Sequence, residues 1–64
     1  MALYLVKQVF FDGFEKVVEK IYSSQQAAER TAAEQYRRPK TRAVEVFVID
    51  GLKPLMRLQK PAGS

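Results

Sequence analysis

The sequence predicts an α+β fold of order ββαββ, in which one helix packs across one face of a four-stranded antiparallel sheet. An alanine-rich segment, residues 23–38, has the pattern of a helix and is stopped by Pro39. Runs rich in β-branched and aromatic residues, typical of strands, flank this segment on both sides. Within each flank an Asp-Gly pair, at residues 12–13 and 50–51, follows an apolar run, which is a strong hairpin signal.

Length and composition restrict what the chain can be. Its 64 residues make one domain, which we assign to residues 1–58, followed by a flexible tail at residues 59–64. The chain has no Cys and no His, which excludes disulfides, the standard structural zinc sites and the usual catalytic bases and nucleophiles. We therefore predict that the protein is not an enzyme and that it has no cofactor.

The first hairpin is predicted to join a strand at residues 2–11 to a second strand at residues 14–22. A two-residue type I′ turn at Asp12-Gly13 would place Phe11 opposite Phe14 and Val9 opposite Lys16. The first strand is apolar at both parities. This pattern is typical of a central strand, or of one whose second face is covered by a partner.

The helix is predicted to begin with a capping box, in which Ser23 is the N-cap and Gln26 reaches back to it. Ala28, Ala32 and Tyr36 then follow at intervals of four residues and form one narrow stripe of mostly small side chains. Such a stripe lets a helix lie close against a sheet, so we interpret this segment as a scaffold element rather than a recognition helix.

The second hairpin is predicted from a strand at residues 42–49, the turn at Asp50-Gly51 and a short strand at residues 52–58. The former is apolar at nearly every position, which indicates a central strand. Pro54 cannot donate a hydrogen bond to a sheet ladder, so the last strand is expected at an edge. Open edges can pair with another chain, so a homodimer is one alternative for a domain this small.

The connection after the helix is strongly basic, in a chain of net charge +4. Its four cations, which form the predicted partner-binding site, are Arg37, Arg38, Lys40 and Arg42. They can contact an acidic protein surface or a phosphate backbone. Alternatively, the two arginines only complement the negative end of the helix dipole and the others are ordinary solvated residues.

Aromatic residues suggest a second way to bind nucleic acid. Tyr4, Phe10 and Phe47 would form a stacking platform for bases if they share one uncovered face of the sheet. The alternative is that they belong to the core, which a chain of this size needs to fill with aromatic side chains.

The chain opens with Tyr4-Leu5-Val6-Lys7, continues into the Ser-capped alanine-rich helix and has a strand from Val44 that ends in a Gly turn before Leu52. In these features and in the order of its elements it resembles very small phage and mobile-element proteins, and is distantly similar to type I-F anti-CRISPR proteins. The chain departs from that pattern at Arg37-Arg38-Pro39-Lys40, which is more basic and contains proline, so no contact residues are carried over.

This resemblance implies a protein that occupies a surface of a bacterial protein or ribonucleoprotein complex and so inhibits or modulates it. A basic nucleic-acid-binding accessory protein and a homodimeric structural module are the alternatives. The N-terminal apolar run is interrupted by Lys7 and Gln8 and is too short for a signal peptide or a membrane span. A cytoplasmic location without membrane contact is therefore expected.

Overall fold

The computed structural model describes residues 2–61 and confirms the predicted ββαββ architecture. Four antiparallel strands form one sheet in the order β2-β1-β3-β4, and the helix packs across the two central strands, β1 and β3. In chain order the elements are β1 (Tyr4–Phe10), β2 (Glu15–Val17), α1 (Gln25–Tyr36), β3 (Thr41–Val48), a 3₁₀ turn (Asp50–Leu52) and β4 (Lys53–Gln59).

The sheet places both apolar strands at its centre, as the sequence predicts. β1 and β3 pair along their whole length, from Tyr4 opposite Val48 to Phe10 opposite Thr41. β4 lies at an edge, in agreement with the prediction from Pro54. Pro54 lies opposite Phe47, where an irregularity interrupts the register between β3 and β4. The missing donor of the proline is therefore accommodated at an irregular position of an edge strand.

The turn of the first hairpin differs from the predicted type I′ turn. The Phe10 N–H donates to the Phe14 carbonyl (2.8 Å) and the Gly13 N–H donates to the Phe10 carbonyl (3.0 Å), which leaves a loop of residues 11–13. Gly13 has a φ of 96°, whereas Asp12 has a negative φ and accepts the Phe14 N–H through its side chain (3.0 Å). A three-residue loop of this kind needs positive φ only at its glycine, so Asp12 avoids the left-handed region.

The longer loop shifts the predicted register by one residue. Val9 lies opposite Glu15, and Lys16 lies opposite Gln8 instead of Val9. The second strand is also shorter than predicted, because only Glu15–Val17 pairs regularly and Tyr22 forms an isolated bridge to Tyr4. Since side chains alternate between faces, the shift decides which β2 residues face α1.

The helix begins one residue later than predicted. Its N-cap is Ser24, with extended backbone, and the Ser24 hydroxyl accepts the N–H of Ala27 (3.4 Å). The predicted capping box of Ser23 with Gln26 is therefore wrong. The predicted stripe is confirmed, because Ala28 and Ala32 are completely buried against the sheet.

The core lies between α1 and one face of the sheet. Val6, Val44 and Val46 are its largest fully buried apolar side chains. Tyr22 completes it from the chain before the helix, and its hydroxyl accepts a hydrogen bond from Thr31 (2.8 Å). The remaining members of the buried cluster are the two stripe alanines, Ala28 and Ala32.

A buried polar pair lies at the end of this core. The side-chain amide of Gln8 on β1 donates a hydrogen bond to the Thr41 hydroxyl at the start of β3, and both side chains are buried. Such a pair is stabilising only while both partners are present, since an unpaired buried donor loses its water without compensation.

The C-terminal part of the chain continues the sheet further than predicted. β4 runs to Gln59, and the Lys60 N–H donates to the Arg42 carbonyl (2.8 Å). The predicted flexible tail began at residue 59, and its residues 62–64 lie outside the described part of the chain.

Candidate functional site

The basic connection between α1 and β3 is the site predicted from sequence. Arg37 is the C-cap of α1, and its N–H still donates to the carbonyls of Ala33 and Glu34 (both 3.3 Å). Pro39 follows in the turn, and the Thr41 N–H donates back to the Arg38 carbonyl (3.0 Å). The turn therefore bends the chain tightly from the helix end into the central strand β3.

The structure brings all four predicted cations to this end of the molecule. Three of them, Arg37, Arg38 and Lys40, are exposed in the turn. Arg42 is exposed at a bulge of β3, because Val9 and Phe10 of β1 pair with the residues on either side of it. Within residues 2–61, none of these four side chains forms an ion pair with a carboxylate. Their charges are thus available to a partner.

Lys60 joins these four cations, and sequence reasoning missed it. Its ammonium group donates to the Arg38 carbonyl (2.8 Å) and lies 5.3 Å from the centre of the Tyr36 ring. It stands 22 positions from Arg38 in sequence, and only the pairing of β4 with β3 brings the two together. A basic residue directly after the edge strand β4 was the available signal. We call Arg37, Arg38, Lys40, Arg42 and Lys60 the basic cluster.

A shallow pocket of about 320 Å³ adjoins the basic cluster. It is lined by Gln8, Phe10, Arg38, Pro39 and Lys40. The cations supply charge and hydrogen-bond donors, while the partly buried Phe10 supplies an apolar wall. This combination suits an anionic group that carries a flat or apolar part, such as an acidic side chain beside an aromatic residue.

The predicted aromatic platform does not form. Tyr4 packs against the core on the side of α1. Phe47 is opposite Leu5, the next residue along β1, and therefore points to the other side of the sheet. The alternation of side chains along paired strands separates the two rings, so Tyr4, Phe10 and Phe47 do not share one uncovered surface.

The sheet face opposite α1, which we call the open face, is a second candidate surface, which the sequence indicated only through the apolar residues at both parities of the first strand. Its apolar side chains include Leu5 on β1, Val17 on β2 and Phe47 on β3, with Leu52 of the 3₁₀ turn beside them. With Lys7 they line a pocket of about 280 Å³. Among the described residues α1 is the only α-helix, and it packs on the other side of the sheet.

Leu52 is held on the open face by an unusual backbone. Its φ is 48°, and it is the only non-glycine residue with positive φ among residues 2–61. This conformation costs an L-residue about 1–2 kcal/mol. The Leu52 N–H donates to the Ile49 carbonyl (3.0 Å), and the side chain stays 62% exposed beside the pocket. The 3₁₀ turn thus places the Leu52 side chain beside the pocket in a backbone conformation that is unfavourable for leucine.

A row of charges crosses the open face from one edge strand to the other. The ammonium group of Lys7 lies 3.1 Å from the Glu15 carboxylate and 3.9 Å from that of Glu45. The guanidinium group of Arg57 lies 3.4 Å from the same oxygen of Glu45. The signs alternate as Glu15, Lys7, Glu45 and Arg57, on β2, β1, β3 and β4. We call these four residues the charge row.

Comparison of the chain with models of known protein families, with curated proteins and with solved structures found no match. Within the described residues, the single α-helix has 12 residues, and no helix is long and apolar enough to cross a membrane.

Proposed function

We propose that the protein is a non-catalytic binding protein that uses the basic cluster to occupy an acidic surface of a bacterial protein or ribonucleoprotein complex, which it inhibits or modulates. The observation that carries this proposal is the concentration of unpaired cations at one end of the molecule. Five exposed or partly exposed cations converge there from the helix end, the turn, β3 and the residue after β4. Elsewhere Lys7 and Arg57 are paired with carboxylates. The other exposed cations, Lys16, Lys20, Arg30 and Lys53, are distributed over β2, the segment before α1, α1 and β4.

The arrangement goes beyond compensation of the helix dipole. A dipole acts on charges close to the end of a helix, and this accounts for Arg37, the C-cap, and Arg38, which follows it. Lys40, Arg42 and Lys60 lie further away, on the connection, on β3 and directly after β4. Like charges at one end of a molecule repel one another, so an anionic partner that neutralises them gains favourable electrostatic energy.

The narrower form of the proposal, an anti-CRISPR-like inhibitor acting in the cytoplasm, rests on the sequence resemblance alone. Inhibitors that work by occupying a surface need shape and charge but no catalytic groups. The lack of His and Cys in the sequence is compatible with such a role.

Capture of partners from a bacterial lysate tests the proposal. The test variant replaces the four predicted cations with glutamine: Arg37, Arg38, Lys40 and Arg42. The control variant makes the same change in net charge at four exposed cations elsewhere: Lys16, Lys20, Arg30 and Lys53. We expect the wild type and the control to retain the same protein partner at stoichiometric level, and the test variant to lose it. Equal capture by the two variants would refute the proposal.

Nuclease treatment and salt dependence distinguish nucleic acid from protein in the same experiment. If the four cations contact phosphates, log K falls by about 0.9 per contact per decade of salt, so affinity drops roughly 150-fold between about 50 and 200 mM salt. A partner that is lost after nuclease treatment and shows this slope would replace the protein-binding proposal by the nucleic-acid alternative. A nuclease-resistant partner supports the proposal.

A further inference from the structure

We propose that the open face is the interface of a homodimer, in which a second copy of the chain packs its own open face against the first. The proposal is independent of the basic cluster and of its partner. It also differs from pairing between strand edges, because here the two sheets stack face to face.

The first argument is the distribution of apolar side chains. On the side of α1, the largest apolar side chains that are fully buried are three valines. A chain of 64 residues buries only about 60% of the surface that its unfolded form exposes, and small domains commonly need a partner subunit. On the open face, meanwhile, Leu5 and Phe47 are only half-buried and Leu52 is exposed, and all three line one pocket. Covering this face would turn a two-layer fold into a sandwich with apolar residues on both sides of β1 and β3.

The second argument is the charge row, whose pattern is complementary to its own rotated copy. In a two-fold dimer every contact occurs twice. If residue i of one copy contacts residue j of the other, then residue j of the first copy also contacts residue i of the second. A two-fold axis parallel to the strands reverses the order of the row. Lys7 then faces Glu45 of the other copy. The backbone of Glu15 lies opposite Val9, two residues along the strands from Lys7, but its carboxylate reaches back to the Lys7 ammonium group (3.1 Å) and so joins the row, where it is brought to the side of Arg57 of the other copy. Each of these four facing positions, which we call columns, joins opposite charges.

This axis also aligns the apolar surfaces. Rotation about the strand direction preserves position along the strands, so the end of the face that carries Leu5, Phe47 and Leu52 meets the same end of the other copy. An axis perpendicular to the strands would instead place like charges opposite each other. The row carries two carboxylates and two cations, and therefore no net charge that would select an acidic or a basic partner. A second copy is the occupant that matches both features.

The area of the face sets the expected strength. β1 has seven residues, which span about 23 Å, and four strands cover roughly 19 Å, so the face measures about 440 Å² in projection. A standard stable interface buries about 800 Å² per partner. We therefore expect a weak dimer with a dissociation constant in the micromolar range.

Two single charge reversals provide the test. Glu15→Arg and Arg57→Glu change side chains that are 57% and 51% exposed, so the fold tolerates them. The two residues lie on opposite edge strands of one chain, about 14 Å apart, and cannot touch within it. In the homodimer of either variant, like charges face each other in two of the four columns. We therefore expect the self-association of each variant to weaken by at least about tenfold. Mixed together, the two variants restore opposite charges in both of these columns.

Native mass spectrometry measures the outcome, because the two variants differ in mass and their mixed dimer is resolved from either homodimer. We expect a wild-type dimer, weakened homodimers of each variant, and a mixed dimer of about wild-type strength. Sedimentation from about 1 µM to about 1 mM gives the dissociation constants. A wild type that stays monomeric over this range overturns the proposal. So does a dimer that neither reversal weakens, or one that mixing does not restore.

A second pair of variants tests the apolar part of the interface. Leu52→Asn removes an apolar side chain from the open face, and asparagine tolerates positive φ, so folding is preserved. The matched control is Phe14→Asn in the β1–β2 turn, where the side chain is 72% exposed. We expect only Leu52→Asn to weaken the dimer. Equal effects of the two substitutions would overturn the proposal.

Discussion

The close contact between α1 and the sheet makes a sharp prediction for Ala32→Leu. Ala32 is completely buried between the helix and the sheet, whereas the next residue, Ala33, is exposed. Leucine at position 32 adds three carbon atoms where the packing leaves no exposed surface. Overpacking of this kind costs about 1–3 kcal/mol, because side chains must leave their preferred rotamers or the helix must move away from the sheet.

The magnitude is large for this chain. At roughly 0.05–0.15 kcal/mol per residue, a chain of 64 residues has a free energy of unfolding of about 3–10 kcal/mol. In a domain of this size, each kcal/mol lost lowers Tm by about 4–8 °C. We therefore expect Ala32→Leu to lower Tm by between about 4 and 24 °C.

Thermal and urea unfolding followed by circular dichroism provide the assay, with Ala33→Leu as the matched control. Both substitutions change helix propensity equally, by a few tenths of a kcal/mol, so their difference isolates the packing. The measurements belong at low micromolar concentration, because dimerisation raises the apparent Tm. If the two variants unfold at the same temperature, or if Ala32→Leu is the more stable, the helix does not lie tightly on the sheet and the reasoning is refuted.

Three further sets of variants test local features. Thr41→Val leaves the buried Gln8 amide without its acceptor, so it should lower the free energy of unfolding in urea by about 1–3 kcal/mol. The double variant with Gln8→Leu should recover much of this loss. If Thr41→Val is as stable as the wild type, the buried pair is contradicted. Ser24→Ala should cost about 1 kcal/mol and Ser23→Ala less than about half of that, because Ser24 is the N-cap; the reverse order would move the cap. Gly13→Ala should lower the free energy of unfolding by about 1–2 kcal/mol through backbone strain alone, because a Cβ at this position meets nothing within 4 Å. Gly13→Asn should cost less. An equal loss in both variants would point to another cause.

The two candidate surfaces lie on different parts of the molecule, and this separation makes their tests independent. The basic cluster occupies the end where α1 passes into β3. The charge row and the pocket around Leu52 occupy the open face. Reversal of Glu15 or Arg57 leaves every cation of the basic cluster in place. A variant that no longer dimerises can therefore still be examined for capture of the proposed partner.

The sequence by itself determined the order and type of the elements and the central or edge position of three strands. These features depend on local chemistry: alanines at helical spacing, runs of valine, the donor that Pro54 lacks, and the glycines at the turns. It also located the basic connection, because four cations lie within six residues. Each of these signals is contained in a short stretch of chain.

Only the tertiary structure decided the features that depend on which distant residues meet. The first hairpin took a three-residue loop because Asp12 avoids positive φ, and the resulting shift of one residue changed the side to which each β2 side chain points. Lys60 reached the basic cluster through the pairing of β4 with β3. The alternating charge row arose because four strands, which are not in sequence order, lie side by side. Neighbours across a sheet are set by register and strand order, and short-range patterns in the chain do not specify either.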